Sequence, residues 1–133
     1  MVLAEPTPPS PALTYLQRAA YYAARSEHGI YKMGAIVIGD RKVQAFGWNK
    51  NKTHPRALNY TRKIHAELAA LIGERWHGAI SLLNMDMYVV RLTNGGKLAT
   101  SKPCRDCMIL IKEAGIKSVT FIDEGGNICT LKL

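Results

Sequence analysis

Acidic residues are scarce in this chain of 133 residues: 10 Asp and Glu stand against 18 Lys and Arg, for a formal charge of +8. That balance favours polyanionic partners and says nothing of the fold; a basic, solvated surface is the alternative. Cysteine is also sparse. The three present, Cys104, Cys107 and Cys129, make an odd count with one close pair, which is a poor disulfide framework. A metal site or a redox pair in a reducing compartment fits better. No apolar run reaches the roughly 18 residues of a membrane span, so no membrane partner is expected. The N-terminus lacks a basic start followed by an apolar core, and a cytoplasmic location is the expectation. No segment repeats. What the chain does have is apolar content, 47%, and enough length for one domain whose core needs no disulfide staples.

Residues 1–11 carry Pro6, Pro8, Pro9 and Pro11, which reads as a flexible Pro-rich arm ahead of a single domain over 12–133. From Ala12 to about Arg25, Leu13, Leu16, Ala20 and Ala23 recur on a helical stripe that ends before Gly29. Met33 to Ile38 and Val43 to Trp48 read as a hairpin turning on Gly39-Asp40-Arg41. Asn49 to Asn59 is a polar loop. A second helix is predicted over Lys63 to His77, with Leu68, Leu71 and Ile72 facing the core and Gly78 past its end. Met85 to Leu92 reads as a buried strand and Thr93 to Lys102 as a loop. Pro103, suited to a first helical position, opens a third helix that stops at Gly115. Val119 to Ile122 and Ile128 to Leu133 are the last strands, and their connection is too short for a parallel crossover. The expected fold is α/β, in three α/β/α layers: a mixed five-stranded sheet with helices on both faces, its last two strands an antiparallel hairpin.

Two short motifs carry the chemistry: His65-Ala66-Glu67 at the start of the second helix, and Pro103-Cys104-Arg105-Asp106-Cys107 at the start of the third. Cysteines three apart on a helix share a face and suit one tetrahedral ion. A third ligand from another element, for which His65 is available, plus water would complete an open catalytic zinc site. Helix starts favour the anionic sulfurs such a site needs. Glu67 need not be a ligand, because a carboxylate beside an activated water is what proton shuttling requires, and zinc brings its water to a pKa near 7. Taken singly, each piece has a plainer reading. The Cys pair could be a redox dithiol or two buried thiols, His65 a packing or capping residue, and Glu67 a compensator of the helix dipole. Together and in order they match the zinc deaminase signature, His-x-Glu followed by Pro-Cys-x-x-Cys.

On those motifs the chain resembles the cytidine deaminase superfamily over roughly Ala12 to Ile122. The resemblance implies Zn²⁺ held by His65, Cys104 and Cys107, with Glu67 as the catalytic proton shuttle acting with zinc-bound hydroxide. It implies that Asn49, in Gly47-Trp48-Asn49, contacts the sugar. It further implies that the Ala66 N–H and a carbonyl just before Pro103, from Ser101 or Lys102, grip the base. Lys102 departs from the serine or glutamate usual at its position, so the resemblance points to the reaction class and leaves the substrate open. The predicted final hairpin is closer to the cytidine and blasticidin deaminases than to branches with a helix between the last two strands.

No acid stands between Asp40 and Glu67, or between Asp86 and Asp106. Arg41, Lys42, Lys50, Lys52, Arg56, Arg62 and Lys63 fill the first stretch, and Arg91, Lys97, Lys102 and Arg105 fill or border the second. Both lead into the zinc motifs. Basic loops there suit a phosphate-bearing substrate, with solvated loops as the alternative. Trp48 and Tyr60 could stack on a base or, for Trp48 equally, pack against the sheet. Tyr15, Tyr21 and Tyr22 read as packing or subunit contacts, and Cys129 as a buried thiol.

The function read here is hydrolytic deamination of cytosine to uracil in a (deoxy)cytidine nucleoside or nucleotide. The alternative is a cytosine deaminase acting on single-stranded DNA or RNA. A non-catalytic zinc-stabilised domain ranks below both, since a purely structural site has no use for Glu67. The expected partners are a pyrimidine nucleoside or nucleotide, or single-stranded nucleic acid, and a homo-oligomer is a further expectation.

Overall fold

A computed structural model describes residues 11–26, 32–49, 83–93 and 95–133. The expected second helix, with His65, Ala66 and Glu67, and residues 1–10 of the expected arm lie outside them. Helix α1 spans Pro11–Ala23 and opens on the proline that the sequence assigned to the arm, a residue already set for a first helical turn. Strands β1 (Lys32–Gly39) and β2 (Lys42–Trp48) form the expected hairpin. Its two-residue turn puts Asp40 and Arg41 at φ 53° and 60°, the left-handed pair that matches the twist of hairpin strands. The register slips between Val37 and Ile38. Strand β3 follows at Asp86–Leu92.

The loop after β3 contains a two-residue strand, β4 (Leu98–Ala99), paired with the end of β3. It makes the sheet six-stranded where the sequence predicts five; two residues are too few to show any alternation. Helix α2 spans Arg105–Glu113. Strands β5 (Ser118–Ile122) and β6 (Ile128–Lys132) close the fold as the expected antiparallel hairpin. The main sheet order is β2-β1-β3-β5-β6. Among the described residues only β3 and β5 pair parallel; the other pairs are antiparallel.

Alternation along the central strands divides the core between the two faces. Ile36, Ile38 and Val90 meet Leu16, Ala19 and Ala23 of α1 on one face. Ala35, Val37, Met87, Val89, Val119 and Phe121 meet Ile111 of α2 on the other. The predicted layering, with helices on both faces, is thus the observed one. Gly34 sets how closely α1 approaches: a Cβ there would run into the Ala19 carbonyl and the Ala23 amide. Among the described residues no helix is long and apolar enough to cross a membrane.

Candidate metal and substrate site

Strands β3 and β5 pair from Asp86↔Ser118 to Tyr88↔Thr120, and then their ladder ends although both strands run on. A crevice at the C-terminal ends of parallel strands is where α/β sheets bind ligands. The segment leading into α2 occupies this split. Ser101 is 1% exposed; its N–H donates to the Ile122 carbonyl (2.9 Å). Its Oγ donates to the Val89 carbonyl (2.8 Å) and accepts from the Ile122 N–H (3.0 Å). Thr100 Oγ1 donates to the Asp123 carbonyl (3.3 Å). The Ser101 carbonyl, one of the two considered for base binding, takes part in none of these bonds. Lys102 is exposed and Pro103 buried.

The sequence places Pro103 inside the helix; the structure places it one residue before the cap. Cys104 is the N-cap, with extended backbone (φ −68°, ψ 166°), and its Sγ accepts from the Cys107 N–H at 3.4 Å. A sulfur here does what Ser or Asp usually does at a helix start. Proline two residues before the first helical residue leaves Cys104 free to adopt the extended cap geometry. Cys104 is exposed and Cys107 buried, and neither is in a disulfide. At its other end α2 stops as a Schellman turn. There Gly115, at φ 81°, donates to Lys112 O and Ile116 donates to Ile111 O.

These two thiols fit zinc: both are reduced, they lie within one turn, and one is exposed at a helix start. Among the described residues no group of three His, Cys, Asp or Glu converges. His65, the third ligand expected from the sequence, lies outside the described residues.

Asn49 follows β2 at the same end of the sheet, level with the end of β3. Its N–H donates to the Met33 carbonyl (3.2 Å) and its Oδ1 accepts from the Met33 N–H (2.9 Å). Its carbonyl accepts from Ser26 Oγ (3.1 Å). The amide oxygen is thus committed to Met33. Ser26 and Met33 are thus supports of Asn49 that sequence reading missed. The signal available was weak, a serine just after a helix and a strand's first residues. If Asn49 positions the sugar, Asn49→Ala retains zinc but lowers kcat/KM roughly 3–10-fold, the worth of one neutral hydrogen bond. Steady-state kinetics beside metal analysis checks this. Asn49→Asp, which keeps the acceptor for Met33, separates the substrate role from the anchoring one: normal kinetics in both variants removes Asn49 from the site.

Trp48 lies on the α1 face. Its ring stacks near Tyr22 (6.5 Å, 3°) and Phe46 (6.3 Å, 12°), and the Arg25 guanidinium sits 5.8 Å from its centroid. Of the two roles open to Trp48 in the sequence, this is the packing one, on the face opposite α2. Tyr15 and Tyr22 also pack, against Tyr88 (5.0 Å) and Phe46 (4.5 Å), whereas Tyr21 is 59% exposed. Cys129 is half-buried rather than fully buried. The Tyr88 hydroxyl is held above the usual tyrosine range by burial first, then by Asp86 and Tyr15. It lies on the α1 face, away from the cysteines.

The family model of the cytidine and deoxycytidylate deaminase zinc-binding region matches residues 10–123. Among solved structures, dCMP deaminase from the cyanophage S-TIM5 in apo form is 24% identical with a TM-score of 0.62, covering 85% of this chain and 82% of its own. The same phage enzyme in complex with dCMP and dUMP gives 22% and 0.60, with 86% and 82% covered. Cytidine deaminase from Burkholderia pseudomallei is 18% identical with a TM-score of 0.65, covering 90% and 91%. These likenesses show the fold. No curated protein matches the chain in sequence. With the family model spanning both motifs and nearly the whole described fold, the chain belongs to the cytidine and deoxycytidylate deaminase family.

Proposed function

We propose that this protein is a zinc-dependent hydrolytic deaminase that converts cytosine to uracil in a (deoxy)cytidine nucleoside or nucleotide. The observation that carries the reading is a juxtaposition. Cys104 caps α2 with Cys107 in its first turn, beside the split of β3 and β5, and Asn49 is anchored at the same end of the sheet. Cys104, Cys107 and His65 would hold the metal, which when bound supplies Lewis acidity toward water near neutral pH. Glu67 takes a proton from the attacking water, delivers it to the ring nitrogen beside the amino group, and passes a proton to the departing ammonia. Water and cytosine thereby balance uracil and ammonia. The Ala66 N–H and the carbonyl of Ser101 or Lys102 orient the base. The direct test is incubation of the pure protein with cytidine, deoxycytidine and their monophosphates, followed by detection of uracil.

The substrate carries phosphate in this reading, held by Lys102 with Lys50, Lys52 and Arg56, the last three outside the described residues. Lys102 is exposed two residues before Cys104, where a phosphate on the target nucleotide can reach a cation. The phage enzyme's complex with dCMP and dUMP gives this support by analogy. One phosphate engages one or two cations, whereas a polynucleotide engages several and releases counterions. The expected result is preference for the monophosphate with a shallow dependence of apparent affinity on salt. A steep slope with a preferred oligonucleotide favours the single-strand alternative. Equal use of the bare nucleoside at every salt concentration makes the basic loops solvated surface only.

A further inference from the structure

We infer that Ser101 is a positioning residue: by joining the split ends of β3 and β5, its hydroxyl sets where the Cys104–Cys107 pair stands and so how tightly that pair takes zinc. The inference rests on the reading of those cysteines as zinc ligands. The β3–β5 ladder ends at Tyr88↔Thr120, and beyond it the Val89 carbonyl and the Ile122 N–H have no strand partner across the gap. Ser101 Oγ serves both, at 2.8 and 3.0 Å, while the Ser101 N–H takes the Ile122 carbonyl. One side chain thus replaces a missing rung, and it does so fully buried. An apolar residue would leave a buried carbonyl and a buried N–H unpaired.

Little slack separates this clip from the metal ligands. Pro103, itself buried, has a fixed φ, and Lys102, the residue before it, is confined to extended backbone. Cys104 then caps α2, whose Ile111 is locked in the core. A displacement at residue 101 is therefore passed to Cys104 rather than absorbed in between. The base-binding carbonyl assigned to this segment rides on the same clip.

The test uses the full-length protein. Zinc affinity is measured by competition with a chelator, and the cobalt-substituted protein is read through its sulfur-to-metal absorption bands. Ser101→Ala is expected to weaken zinc binding roughly 10–100-fold, the usual effect of losing a group that orients a ligand, and to shift the cobalt bands. Thr120→Val is the control: Thr120 is also buried in β5 and bonds Thr130 at 2.8 Å, so its loss lowers stability without touching the clip and leaves both metal readouts unchanged. Should Ser101→Ala fail to fold, Ser101→Thr and Ser101→Val, nearly equal in shape, isolate the hydroxyl, with zinc held tightly only by the threonine protein. Equal zinc affinity and identical cobalt bands in wild type and Ser101→Ala, or in the threonine and valine proteins, overturn the inference. A wild-type protein that binds no zinc instead refutes the underlying metal assignment.

Discussion

Replacing Glu67 by alanine is expected to leave zinc content and melting behaviour in place while lowering turnover roughly 10²–10⁴-fold, the range for a general acid–base group. The upper part of that range is the expected one. The proposed reaction needs a proton removed from water, delivered to the ring and passed to ammonia, and the proposal gives all three transfers to one carboxylate. Because Glu67 is not among the proposed ligands, the loss should fall on kcat rather than on metal stoichiometry. Single-turnover assays with metal analysis of the same sample check both. Near wild-type turnover contradicts the mechanism; loss of zinc together with activity makes Glu67 a ligand instead.

Removal of a thiol should act through the metal. Cys107→Ala is expected to reduce zinc from one per chain to near none, with affinity falling by more than the roughly 100-fold that marks loss of a supporting group. Deamination should become undetectable. Cys107 is 1% exposed in the first turn of α2, so its sulfur is already committed to the interior and contributes no surface chemistry that could explain such a loss. Cys129→Ala provides the contrast: this half-buried thiol of β6 lies in another element and its removal should leave zinc at one per chain. Retention of zinc by the Cys107 variant, or a Cys104–Cys107 disulfide in active protein, contradicts the assignment.

Much of this was legible in the sequence because its signals are local. A helical apolar stripe sufficed for α1, short apolar runs between turn residues for β1, β2, β3 and β5, the Pro103 and Gly115 punctuation for α2, and the short Asp123–Asn127 link for the final antiparallel pair. The family was legible for a similar reason: His65, Glu67, Cys104 and Cys107 fall in two compact motifs, and the family model spans both. What escaped depends on long-range contact. Strand β4 exists because Leu98 and Ala99 lie against Leu92 and Arg91, not because two residues carry a pattern. The clip at Ser101 needs Val89 and Ile122, 12 and 21 residues away in the chain. The anchoring of Asn49 by Met33 and Ser26 likewise spans 16 and 23 residues. Trp48 had two readings until α1 brought Tyr22 and Arg25 to its ring. Pro103 misled by two positions, because a proline can precede a helix cap as readily as follow it.

The measurement that tests the central claim most directly is product formation by zinc-loaded protein. Cytidine, deoxycytidine, CMP, dCMP and a cytosine-containing oligonucleotide are each incubated with protein carrying one zinc per chain, and uracil and ammonia are quantified together. The account predicts the uracil-containing monophosphate and ammonia in equal amounts from at least one monophosphate, abolished in Glu67→Ala at unchanged zinc content. Fully zinc-loaded wild-type protein that forms no uracil from any of the five contradicts it.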